Sequence, residues 1–211
     1  MKNKLAIVKK RGFWFTEGMI VIKNIAFFGH SETKPKSGLY KKAFNLAKLL
    51  ADRGYTIING GGPGVMDAST QGAKAVKGET VSITFYPEDA PGFEGRYAPN
   101  VTKEEIKTKS YIERMFKLME YGDCYIIFKG GTGTFSEMAT AWCMARLYFG
   151  HHKPFILYGK FWKNIITAFR ENMIWRGNEE KVFKIASTPK QVLKCLEEFD
   201  EELKKRGRYR L

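Results

Sequence analysis

The sequence predicts an α/β protein with a doubly wound, mostly parallel sheet and helices on both faces. Short apolar runs rich in β-branched and aromatic residues alternate with segments of helical periodicity along most of the chain. Gly-bearing turns follow several of these runs, where a strand gives way to a helix. The 211 residues, 44% of them hydrophobic, suffice for one domain with a full-sized core.

Taken in order, "VIKNIAFFG" (21–29) reads as the first core strand, stopped at Gly29. "LYKKAFNLAKLLADRG" (39–54) has apolar residues at helical spacing and stops at Gly54. "YTIING" (55–60) is the second strand. A helix follows from about Gly64 to Lys77, then the strand "ETVSITF" (79–85). "YPEDAPGFEGRYAPN" is a Pro- and Gly-rich connection. A helix at 110–122 and a strand within "DCYIIFKGG" (123–131) come next. Alternation continues through "FSEMATAWCMARLYFG", "KPFILYG", "KNIITAFRENMIWRG", "KVFKIAS" and "PKQVLKCLEEFDEELKK". Residues 21–205 form the domain. Residues 1–20 are an N-terminal extension, either a small extra strand or a disordered arm, and 206–211 are a basic tail.

No apolar run approaches the length that spans a bilayer, so no membrane partner is expected. The start, MKNKLAIVKKRGFWFTEG, lacks the apolar core and cleavage site of a signal peptide. Cys124, Cys143 and Cys195 lie far apart in apolar patterns, which fits buried free thiols in a reducing cytoplasm. The net charge is +14. A net four of these charges lie in residues 1–22 and five in the last eight, KKRGRYRL. Such tails give at most weak, sequence-independent nucleic-acid binding, while the overall charge attracts small anions.

In an open doubly wound sheet, ligands bind where strand order reverses. For the order 3-2-1-4-5-6, that point lies between the strand ending in "FGHSE" (28–32) and the one ending in "FKGGTGT" (128–134). "NGGGPGVMDA" (59–68) lies beside them. Glycines let backbone N–H groups approach a ligand, and a helix N-terminus adds partial positive charge, so an anion is expected there. Neither a Walker A ending nor G-x-G-x-x-G is present, and a mononucleotide phosphate fits better than a dinucleotide. The phosphate-contacting candidates are Gly29, His30, Ser31, Gly60, Gly61, Gly62, Lys129, Gly130, Gly131, Thr132, Gly133 and Thr134.

Thr134 and Glu137 also match a capping box, S/T-x-x-E, a purely structural device. Likewise an isolated Arg114 on an amphipathic helix is most often solvated. His30, His151 and His152 have no metal-ligand spacing, and no metal or cofactor is expected.

The motifs taken together resemble the LOG (Lonely Guy) family of phosphoribohydrolases and their "lysine decarboxylase-like" relatives. "KGGTGTFSE" (129–137) is similar to the family's P-G-G-x-G-T-x-x-E. "GGGPGVMDASTQGA" (60–73) resembles its G-G-G-x-G-[IVL]-M-[ED]-A turn and helix, and "YIERM" (111–115) occupies the place of M-H-E-R-K. "AFFGHSE" resembles the first strand and its turn. The resemblance implies a Rossmann-like sheet, a homodimer, and hydrolysis of the N-glycosidic bond of a nucleoside 5′-monophosphate. It assigns catalysis to Glu137 and Arg114, and the phosphate to Gly130, Gly131, Gly133 and Thr134. Lys129 stands in place of the motif proline, and Tyr111, Ile112 and Met115 replace the Met, His and Lys around the Arg. The alternative function is non-catalytic binding or carriage of a nucleotide or of molybdenum cofactor. A nucleic-acid accessory role through the basic tails is a third. No residue identifies a pyridoxal phosphate lysine.

Overall fold

The computed structural model describes residues 7–10, 13–16, 21–87, 90 and 95–206. Two short strands, β1 (Ile7–Lys10) and β2 (Phe13–Thr16), pair antiparallel as a separate two-stranded sheet. Of the two options for the N-terminal extension, strand thus holds for these eight residues. The rest of the extension and tail residues 207–211 lie outside the described residues, and Arg206 ends the last helix.

The main sheet has seven strands, all parallel. They are β3 (Asn24–Phe28), β4 (Thr56–Asn59), β5 (Thr80–Phe85), β6 (Glu104–Thr108), β7 (Cys124–Ile127), β8 (Phe155–Tyr158) and β9 (Phe183–Ala186). Their spatial order is β6-β5-β4-β3-β7-β8-β9. Apart from β6, this is the expected 3-2-1-4-5-6 order. β6 extends the sheet beyond β5, in a stretch where the sequence reading has no element.

The helices are α1 (Gly38–Asp52), α2 (Val65–Lys74), α3 (Tyr111–Tyr121), α4 (Thr132–Leu147), α5 (Trp162–Asn172) and α6 (Pro189–Arg206). A short 3-10 turn, Glu179–Val182, precedes β9. Alternation along each strand divides the core into two layers. Ile25 and Phe27 of β3 point to one face, where Leu46 and Leu50 of α1, Ala68 of α2 and Leu196 of α6 pack. Ala26 and Phe28 point to the other, against Leu118 of α3, Met138 and Ala141 of α4, and Ile166 of α5. This is the doubly wound, Rossmann-like arrangement. No helix among the described residues is long and apolar enough to cross a membrane. Cys124 and Cys195 are buried, but Cys143 is exposed on α4, which corrects the expectation of three buried thiols.

Candidate functional site

Parallel pairing of β3 with β7 at the sheet centre brings their following turns side by side. The His30 N–H donates to the Lys129 carbonyl at 3.1 Å, and the His30 carbonyl accepts from the Val65 N–H at 3.0 Å. One residue therefore ties the turns after β3 and β7 to the start of α2. Only glycine fits the approach at position 64. Its φ is +68°, and a Cβ there would lie 2.2 Å from the His30 carbonyl oxygen.

Helix α4 begins earlier than a cap at Thr134 requires. Its N-cap is Gly131, with no side-chain capping bond. Thr134 is the third helical residue, so the capping-box reading of Thr134 and Glu137 is incorrect. The Thr134 side chain packs on Gly130 instead, its Oγ1 2.1 Å from where a Cβ at Gly130 would be. The first intrahelical bond runs from the Phe135 N–H to the Gly131 carbonyl at 3.0 Å. The N–H groups of Thr132, Gly133 and Thr134 thus have no acceptor one turn back, and the helix dipole adds partial positive charge at this end. Glu137, buried, lies one turn further along.

A side-chain cap does occur one helix upstream, with the return bond of a capping box shifted to the residue before the cap. Ser110 Oγ accepts from the Glu113 N–H at 3.1 Å, and the Glu113 carboxylate accepts from the Lys109 N–H at 2.7 Å. This fixes the first turn of α3, from which Arg114 projects beneath the sheet ends. Arg114 is only 3% exposed, which corrects the reading of a solvated arginine. Its Nε donates to the Ile83 carbonyl and its Nη2 to the Gly60 carbonyl, both at 3.1 Å.

A cavity of about 240 Å³ lies at the strand-order reversal. Gly29, His30 and Ser31 line it from the β3 turn. Gly131, Thr132, Gly133, Thr134 and Glu137 line it from α4, and Arg114 from α3. The other candidates lie outside this lining. Lys129 is exposed, with its ammonium 6.0 Å from the Phe161 ring centroid, and Gly130 is exposed beside it.

Gly60, Gly61 and Gly62 are buried and act as support. The Gly61 N–H donates to Asn59 Oδ1 at 2.8 Å, and Asn100 Nδ2 donates to the Gly62 carbonyl at 2.9 Å. The Gly61 carbonyl accepts from Arg96 at 3.1 Å, and Arg96 is in turn held by Glu105 of β6 at 3.0 Å. Burial pushes the Glu105 carboxyl up, but hydrogen bonds from Arg96 and Thr84 and the Arg96 charge outweigh it and leave the carboxyl below its ordinary value. The edge strand therefore braces the floor of the site.

The sequence reading did not name Phe27, Phe28, Glu32, Met66 or Tyr111 as lining residues. Each stands in or beside a motif that drew attention for other residues. Their position next to Gly29, Gly64 and Arg114 is the signal that was there to find.

The SLOG cluster4 family model matches residues 22–184. The chain is 31% identical over 125 residues to the cytokinin riboside 5′-monophosphate phosphoribohydrolase of Mycobacterium tuberculosis, covering 56% of this chain and 62% of that one. It is 29% identical over 192 residues to a probable cytokinin riboside 5′-monophosphate phosphoribohydrolase of Oryza sativa subsp. japonica, covering 85% and 73%. The chain thus spans about three-fifths of the length of the mycobacterial relative. Among solved structures, one from a structural genomics consortium superposes with a TM-score of 0.65 at 25% identity, over 84% of this chain and 99% of that chain. A molybdenum cofactor binding protein from Rippkaea orientalis shares the fold, with a TM-score of 0.60 at 24% identity over 84% and 97%. The family match covers most of the chain, including every element that builds the cavity. The chain belongs to the SLOG cluster4 family.

Proposed function

We propose that the protein hydrolyses the N-glycosidic bond of a nucleoside 5′-monophosphate, giving free base and ribose 5-phosphate. The observation that carries this reading is the convergence, in one cavity, of an open helix N-terminus, a buried carboxylate and a buried guanidinium. The N–H groups of Thr132, Gly133 and Thr134 receive the 5′-phosphate. Phosphate held there directs the ribose along α4 toward Glu137, and this tethering supplies orientation. As the C1′–N bond breaks, positive charge builds on the ribose, and the Glu137 carboxylate stabilises it. The same carboxylate orients water for attack at C1′, takes its proton and passes it to the leaving base nitrogen, which keeps the bond pair. Arg114, fixed by two backbone carbonyls, adds positive charge beside the anion and orients Glu137. The names of two relatives agree with this reaction.

We also propose that the chain pairs with a second copy through the outer face of α4. Phe135 and Leu147 of that helix, with Met173 and Ile174 beyond α5, line one largely apolar groove while exposed to solvent. Sedimentation of the parent as a dimer, and of Ile174→Glu as a monomer, is the expected result.

The function is tested by incubating the purified protein with a panel of nucleoside 5′-monophosphates beside Glu137→Gln, following base and ribose 5-phosphate by chromatography. Base release by the parent, lowered on the order of 100-fold or more in the variant, is expected. Tight nucleotide binding with no release from any substrate would replace hydrolysis with carriage.

A further inference from the structure

We propose that Tyr111 is a positioning residue of this cavity, its phenol O–H donating a hydrogen bond to a phosphoryl oxygen held at the start of α4. The inference rests on the phosphate-binding half of the function proposed above, and not on cleavage.

Tyr111 is the first residue of α3, in the turn fixed by Ser110 and Glu113. Its ring meets Phe85 edge to face, with centroids 6.0 Å apart, and the Arg114 guanidinium carbon lies 5.9 Å from its centroid. Two neighbours thus set the ring plane, which limits the entropy lost when the hydroxyl engages a ligand. The hydroxyl reaches across the cavity to α4. It lies 3.6 Å from where a Cβ on Gly133 would be. Gly133 is the second residue of α4, between the two threonines whose N–H groups also lack an acceptor one turn back. An oxygen bound to these N–H groups therefore has the phenol beside it as a further donor. Tyr111 lines the same cavity as Arg114 and Glu137. It holds the one cavity-lining hydroxyl on α3, facing three backbone donors on α4.

The chemistry selects an ionised phosphoryl group over a neutral hydroxyl at this spot. Three backbone N–H groups at a helix N-terminus present only donors, the phenol can add one more, and an ionised phosphoryl group presents acceptors to all of them.

Calorimetric titration with ribose 5-phosphate, of the parent and of Tyr111→Phe, tests the inference. Phe keeps the ring contacts and removes only the hydroxyl. Affinity for ribose 5-phosphate is expected to fall about 10-fold or more, the loss for a hydrogen bond to an ionised group. Binding of ribose, the same sugar without phosphate, is expected to stay unchanged. Unchanged affinity for ribose 5-phosphate in the variant, or an equal loss for ribose, overturns the role of Tyr111. A parent that binds no ribose 5-phosphate overturns the phosphate site as well. A parent that binds it through the phenol but cleaves no nucleotide retains this inference and loses hydrolysis. Cleavage with an unaffected Tyr111→Phe variant does the reverse.

Discussion

The guanidinium of Arg114 lies in the space that a side chain on Gly60 would fill: a Cβ built there falls 1.6 Å from Nη2. The Gly60 carbonyl is also an acceptor for that nitrogen. The glycine therefore both admits and holds the arginine. Gly60→Ala should expel the guanidinium. Overpacking of this kind costs about 1–3 kcal/mol, so the variant should still fold with a lowered melting temperature. Nucleotide cleavage should fall on the order of 100-fold, because the charge moves away from the cavity. Far-ultraviolet circular dichroism with parallel activity assays checks both parts. Parental activity in a folded variant would mean that Arg114 contributes nothing at its observed position.

Gly131 offers the opposite case. Nothing lies within 4 Å of a Cβ built there, and its φ of −91° suits any residue. Packing of the chain on itself does not ask for glycine at the α4 N-cap. Gly131→Ala should thus cost only the modest preference of an N-cap for glycine over alanine, about 0.5–1 kcal/mol, and still fold. It should nevertheless weaken ribose 5-phosphate binding about 10-fold, because a methyl group crowds the backbone donors. Paired melting and calorimetry separate the two effects. Equal affinity in the variant would move the anion site away from this helix end.

These two glycines show what could and could not be read in advance. The six strands other than β6 are legible because each is a short apolar run bounded by turn residues, while their order is supposed from the fold class. β6 is not legible. Its sequence, EEIKT, is an edge with both glutamates and Lys107 exposed, joined to β5 by backbone pairing. At the site, Glu137 and the glycine loop carry a motif, but the surroundings of Arg114 do not. Its acceptors include the carbonyls of Ile83 and Gly60, which any residue supplies. The S/T-x-x-E pattern occurs at both 110–113 and 134–137, and only the first one caps. In the second, α4 has already started at Thr132, two residues before Thr134.

Because Ser110 sets the start of α3, it sets Arg114 and Tyr111 together. Ser110→Ala removes the acceptor of the Glu113 N–H and should cost about 1 kcal/mol. For a chain of this size that is about 2–4 °C in melting temperature. Fraying of the first turn would also loosen Tyr111, so KM for the nucleotide should rise more than kcat falls. Ser110→Asp, which keeps a capping acceptor, should restore both. Steady-state kinetics on the two variants, with melting curves, gives the comparison. A stability loss with unchanged KM would separate the cap from the site.

Alkaline stability follows from the half-buried phenol of Tyr55, packed against the core layer that holds Leu46 and Leu50. Burial, and after it the negative charge of Asp200, pushes the Tyr55 phenol from 10.0 up to about 12. Above pH 10 the unfolded chain gives up this proton while the folded chain keeps it. The folded state then binds more protons, so stability is full below pH 10 and falls as pH rises toward 12. Lys153 acts with the opposite sign. Burial holds its ammonium below the usual 10.5, so the chain gains stability as pH rises through that lowered value. Tyr55→Phe isolates the phenol from the lysine. Urea unfolding at intervals from pH 9 to pH 12 should show the parent losing on the order of 1–2 kcal/mol more than the variant across the upper part of this range. The difference should be absent below pH 9, where both states hold the proton. Identical alkaline limbs for the two proteins would mean that Tyr55 ionises in the folded chain as freely as in water.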